Sequence, residues 1–190
     1  PLADDDTIIP FHLVEAAQHR DIEESLETPM VWALDVSRYG GDKTALCKRR
    51  GSVVSEIRSW GGLDLMQTVG RVKAEYDALD PFEQENLEIM IDSVGMGAGC
   101  YDRLSELGLP VRAINVSESP SMKETYLNLR AELWFKTKAW LENRSCKIPK
   151  NDQLLSELTS LRYTFTSSGK IKAESKQDLK KRGFNSPDLA

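Results

Sequence analysis

The sequence predicts an α/β domain on a mixed central sheet, a three-stranded antiparallel meander extended by parallel strands and flanked by helices. Three observations predict it. Met30–Val36 and Leu87–Asp92 are almost continuously apolar, as expected of central strands covered on both faces. Thr44–Lys48 and Val53–Trp60 read as two further strands around an Arg49-Arg50-Gly51-Ser52 turn. Beyond residue 65, apolar positions recur at three- or four-residue spacing, the period of helices packed on such a sheet.

Taken in order, residues 1–29 read as an acidic lead-in and linker, with a short helix over Phe11–Arg20 and a Glu-rich connector ending at Pro29. Residues 30–190 form the domain. After the meander, Met66, Val69, Val72, Tyr76 and Leu79 mark a helix that tolerates Gly70 at a cost of about 1 kcal/mol. The strand Leu87–Asp92 turns through Gly95-Met96-Gly97-Ala98-Gly99 into a helix closed by Gly108 and Pro110, and Val111–Val116 is a fifth strand. The longest helix is predicted over Lys123–Glu142 and a shorter one over Gln153–Leu161. Tyr163–Phe165 and Ile171–Ala173, around Ser167-Ser168-Gly169, form an extra β-hairpin outside the main sheet.

Composition narrows the class. The 190 residues are 40% hydrophobic and 29% charged, ordinary globular values that exclude a disordered or collagen-like chain. Cys47, Cys100 and Cys146 lack the spacing of a disulfide framework or a zinc site. No apolar run reaches the roughly 18 residues of a membrane span, so no membrane partner is expected. The chain opens on Pro1 without an initiator Met, which suggests a piece of a longer protein. Net charge is −5 but unevenly spread. Residues 1–35 hold nine acids against Arg20, whereas residues 136–182 hold twelve Lys and Arg against five acids. A basic stretch of this kind attracts phosphate whatever the global sum, although a solvated Lys-rich face has the same composition.

Asp35 and Asp92 end the two most apolar strands. A carboxylate in an apolar strand is costly unless paired or metal-bound, and two converging carboxylates repel unless a hard divalent cation sits between them. The alternative is that each caps a turn or a helix at its strand end. Asp188 follows Ser186-Pro187, the chemistry of a helix start, and alone it reads as an ordinary first-turn acid. Only Leu189 and Ala190 follow, so the helix is not expected to form and Asp188 is expected to be weakly anchored. His12 and His19 both lie in the lead-in and read as surface residues.

Four segments in order, Leu34-Asp35-Val36-Ser37-Arg38-Tyr39-Gly40-Gly41-Asp42-Lys43-Thr44, Ile91-Asp92-Ser93-Val94-Gly95-Met96-Gly97, Asn128-Leu129-Arg130-Ala131-Glu132-Leu133-Trp134 and Ser186-Pro187-Asp188-Leu189-Ala190, resemble the C-terminal nuclease domain of tailed-bacteriophage terminase large subunits. The resemblance implies an RNase H-like fold that cuts double-stranded DNA during genome packaging with two divalent ions, Mg²⁺ or Mn²⁺. It assigns Asp35, Asp92 and Asp188 as catalytic metal ligands and Asp42 as a further ligand or a tie within the turn. Arg38 then faces the scissile phosphate or pairs with Asp42, and Lys170, Lys172, Lys180, Lys181 and Arg182 track the DNA backbone. The implied setting is the cytoplasm of an infected bacterium, with a packaging ATPase domain, a portal protein and a small terminase subunit as partners. No GxxxxGK[ST] phosphate loop is present, so the ATPase is expected to lie outside this chain. Two other readings compete: an RNase H-like nuclease of resolvase or transposase type, and a non-catalytic nucleotide-binding or assembly module using the Gly95–Gly99 loop or the basic face.

Overall fold

The computed structural model describes residues 6–37, 42–185 and 187–190. In chain order the elements are α1 (Phe11–Gln18), β1 (Met30–Asp35), β2 (Thr44–Arg50), β3 (Val53–Trp60), α2 (Leu65–Asp77), α3 (Pro81–Glu85), β4 (Leu87–Asp92), α4 (Met96–Glu106), β5 (Val111–Ile114), α5 (Leu129–Glu142), α6 (Asp152–Ser160), β6 (Tyr163–Phe165), β7 (Ile171–Ala173) and α7 (Lys176–Lys181). Their internal contacts divide the chain into a sheet unit, residues 23–115 with Leu189, and a helical unit, residues 1–22 and 116–188 with Ala190.

The sheet unit is built on five strands in the order β3-β2-β1-β4-β5. The meander β1–β2–β3 is antiparallel, and β4 and β5 add to it in parallel. Trp32, Leu34, Leu46, Ile89 and Ile91 are buried with Val69 and Val72 of α2 and Cys100 and Leu104 of α4, so both helices cover one face of the sheet. Asp64 starts α2 through a capping box with Gln67, and Asp80 starts α3 the same way with Glu83. Arg50, only 4% exposed, reaches Glu83 at 2.8 Å and Glu24 at 3.8 Å, tying the Glu-rich connector to the sheet.

One expectation about β1 is corrected here. Burial alternates along it, with Met30, Trp32 and Leu34 buried and Ala33 and Asp35 exposed, so its second face is not covered along its whole length. An apolar run containing Ala gives no periodic signal when the residue on the open face is itself small and apolar. Asp35 is therefore not a carboxylate buried in the strand.

In the helical unit, Ile8, Ile9, Val14 and Ala17 are buried, and the Ile8 amide donates to the Leu161 carbonyl at 2.9 Å. The predicted helix over Lys123–Glu142 begins only at Leu129. Its first residues are used elsewhere: Tyr126 bridges to Ile171 in parallel, the Leu127 amide donates to Ile171 and the Ile171 amide to Thr125. Asn128 then caps the helix by accepting from the Ala131 amide. The hairpin β6–β7 stands as predicted, with Tyr163, Thr164 and Phe165 opposite Ala173, Lys172 and Ile171. Residues 187–190 lie in no helix.

Candidate active site

The site begins with strand register. Parallel pairing of β1 with β4 runs from Met30–Leu87 to Leu34–Ile91, and one further step places Asp35 beside Asp92. Adjacent strands lie about 4.8 Å apart. Because Leu34 and Ile91 both point into the core, period-two alternation puts both aspartates on the opposite face. Asp35 is exposed and Asp92 half-buried. Opposite Asp35 on β2 stands the small Ala45, and the residue before it on that face is Ala33.

The backbone beyond Asp92 is shaped for this position. Its Oδ1 accepts from the Val94 amide at 3.1 Å, and both the amide and the hydroxyl of Ser93 donate to the Ile114 carbonyl, hanging the loop on β5. Gly95 then takes φ +67° and ψ −119°, which only glycine adopts without strain. A Cβ at Gly97 would lie 1.6 Å from the Asp92 carbonyl oxygen. The first turn of α4 therefore presses directly on the backbone carrying Asp92. Gly97 is needed for this close approach.

Of the remaining candidates, Arg38 lies outside the described residues. Asp42 is half-buried, and its main-chain carbonyl accepts from Ser37 Oγ at 2.9 Å while the Ser37 amide donates to Thr44 Oγ1 at 3.2 Å, closing the turn from β1 to β2. Asp188 belongs to the helical unit and is half-buried. Among the described residues, no three His, Cys, Asp or Glu side chains are already gathered as a metal cage.

The basic candidates fall in the helical unit. Lys172 is exposed on β7, Lys170 precedes it half-buried, and Lys180 and Lys181 are exposed at the end of α7. Arg182 is a cross-link: it donates to both Glu174 oxygens at 2.7 and 2.5 Å and to the Ser160 carbonyl at 2.6 Å, with its guanidinium 4.9 Å from the Phe184 ring centre. With Arg162 and Phe184 it lines a cleft of about 410 Å³ whose walls include none of the candidate acids.

Sequence reasoning gave no role to Glu132. Fully buried on α5, it takes Lys136 Nζ at 2.8 Å and the Ser121 amide at 2.6 Å, and the Ser121 hydroxyl also donates to it. The Lys136 contact first, and then Ser121, hold its carboxyl down to about 2. The Glu132/Lys136 spacing of four was the available signal. The three cysteines are free, and burial raises the Cys47 and Cys100 thiols to about 11.

Comparison with protein-family models and with curated proteins finds no match. Comparison with solved structures finds several. The nuclease domain of the large terminase subunit gp2 of bacterial virus Sf6 superposes with a TM-score of 0.78 at 22% identity, over 96% of this chain and 94% of that one. The large terminase nuclease of thermophilic phage G20c gives 0.68 at 15%, over 97% and 93%. The large terminase nuclease domain of Thermus phage P74-26 gives 0.61 at 15%, over 86% and 83%. Structures of the Sf6 domain hold manganese or calcium, and those of the G20c nuclease cobalt or magnesium. At these identities the likeness is one of fold, and this chain has the RNase H-like fold of the nuclease domains of phage large terminase subunits.

Proposed function

We propose that this chain is the metal-dependent endonuclease domain of a viral DNA-packaging terminase, cutting double-stranded DNA with little sequence specificity by two-metal phosphodiester hydrolysis. The observation that carries the proposal is the register setting Asp35 beside Asp92, at the C-terminal ends of neighbouring parallel strands and on one face. Their donor set fits the group: two carboxylates side by side are all-oxygen, doubly negative and on the open face, which suits Mg²⁺ or Mn²⁺ and repels itself without a cation. When bound, two such ions supply activation of a water for in-line attack and neutralise charge on the departing oxygen.

The protein's part is to hold ligands and substrate. Asp35 and Asp92 ride on paired strands and keep their spacing. Asp188 is carried over by its motif as the third acid, and Asp42 is the further candidate beside the turn. Arg38 is assigned to the scissile phosphate. Lys170, Lys172, Lys180, Lys181 and Arg182 are assigned to the DNA backbone, Arg182 being also paired with Glu174. In the same reading the packaging ATPase, the portal protein and the small subunit are partners, and the work takes place in the cytoplasm of the infected bacterium. Among the described residues no helix is long and apolar enough to cross a membrane.

The test is incubation of supercoiled plasmid with Mn²⁺, Mg²⁺ or EDTA and wild-type or Asp35→Asn protein, without ATP. Nicked and linear DNA is expected only with wild type plus metal. Cleavage that survives both EDTA and Asp35→Asn defeats the proposal.

A further inference from the structure

The hairpin β6–β7 is anchored by a row of aromatic rings and ends on one that has nothing left to anchor. Tyr126 and Phe135 stand 5.6 Å apart between centroids, Phe135 and Tyr163 5.4 Å, and Tyr163 and Phe165 5.8 Å, the last two pairs edge to face. A two-stranded ribbon needs such packing to persist, and Tyr163 against Phe135 of α5 provides it. Phe165 continues the row outward and is 65% exposed. Alternation along the strands gives the ribbon two characters: Tyr163, Phe165 and Ile171 on one face, Thr164 and Lys172 on the other, with Lys170 at the turn. Residues 163–173 contain no Asp or Glu. On the aromatic side Lys138 Nζ lies 6.0 Å from the centroid of Phe135.

We propose that this hairpin is a stacking platform for unpaired DNA bases, with Phe165 as the stacking ring and Lys170 at the turn and Lys138 on the aromatic side following the phosphates. A cation at the turn next to an open ring, on a ribbon without acids, suits a polyanion that carries aromatic faces. A duplex hides those faces between stacked pairs, so the occupant is a single strand, a frayed end or an opened junction. A protein partner is disfavoured by size, since one projecting ring among lysines, serines and threonines is not the apolar core of an interface. The choice of DNA as the polyanion rests on the nuclease reading, but the test needs no cleavage.

Fluorescence anisotropy in EDTA, with labelled oligo(dT) and a blunt duplex of equal length, measures both affinities. Phe165→Ala is expected to weaken oligo(dT) binding about tenfold and to change duplex binding less than about twofold. Phe165→Leu keeps an apolar side chain without a ring and should behave like Ala, whereas Phe165→Trp should bind at least as tightly as wild type. Unchanged melting temperatures show that each variant is folded. Equal losses on both DNAs, no loss on oligo(dT), or wild-type binding by Phe165→Leu would overturn the proposal. So would a dimer that Phe165→Ala splits in sedimentation, because the ring would then serve a second copy of the chain. Failure of the nuclease reading would instead appear as wild-type protein without metal-dependent cleavage and with these affinities intact.

Discussion

The sheet unit and the helical unit hold their candidate site residues by different means. Asp35 and Asp92 sit at the ends of strands that have neighbours on both sides, so hydrogen-bonded ladders fix their backbones. Lys170, Lys172, Lys180 and Lys181 ride on a two-stranded hairpin and a six-residue helix, held in place by side chains such as Arg182 against Glu174 and Tyr163 against Phe135. The difference matches the tolerance of the two tasks proposed for them. Ligands of a reacting centre must be placed to within about 0.5 Å, whereas cations that follow phosphates work over a range of positions.

That contrast can be broken at several points. Replacing Asp92 by Asn should lower the cleavage rate about 10²-fold or more, the scale on which loss of one electrostatic contact at a reacting centre is felt, and should leave the melting temperature unchanged or raised. A large loss of stability would show instead that Asp92 serves the fold. Gly97→Ala comes next. Its Cβ would fall 1.6 Å from the Asp92 carbonyl oxygen, a backbone atom with no rotamer to give, so α4 or β4 must shift. Urea denaturation should show a loss of about 1–3 kcal/mol together with reduced cleavage. Gly99→Ala meets only the flexible Leu65 Cδ1, at 2.6 Å, and should cost less. Replacing Lys170 and Lys172 together by Ala should leave stability alone, weaken all duplexes equally and make the salt dependence of binding shallower by about 2 in slope. A sequence-dependent change would contradict backbone tracking.

The contrast also governs what the sequence discloses. The meander, β4, β5, α2 and α4 are legible because each is a stretch of apolar residues bounded by turn residues. Asp35 and Asp92 were legible as two acids ending apolar strands, although the reason first attached to Asp35, burial within its strand, fails because its face is open. In the helical unit the information lies in single cross-links. The late start of α5 depends on Tyr126 pairing with Ile171, some 45 residues away, which no local pattern encodes. The short α7 depends on the cap Ser175 in an otherwise polar stretch, as the short α3 of the sheet unit depends on Asp80. Glu132 has no role in the sequence reading because nothing nearby in sequence announces Ser121 as its partner.

A last test, at Glu132, reads the helical unit through pH. In the folded protein Lys136 and Ser121 hold its carboxyl at about 2, whereas in the unfolded chain it titrates near the ordinary glutamate value of about 4.3. The unfolded state therefore binds the proton more readily. The stabilisation is fully present above about pH 4.3 and is lost as the pH falls toward about 2. Glu174 and Asp178 are also held below the usual carboxylate range, by Arg182 and by Ser175 and Lys181, and they add to the acid sensitivity of the helical unit. A difference measurement isolates Glu132: melting temperatures of wild type and Glu132→Gln from pH 7 to pH 2 should be furthest apart at neutral pH and converge through this window. Lys136→Met removes the first of the two restraints and keeps Ser121, so its pH-dependent loss should be smaller than in wild type and complete at a higher pH. Parallel curves for wild type and Glu132→Gln would show that the buried carboxylate is not what ties this unit's stability to pH.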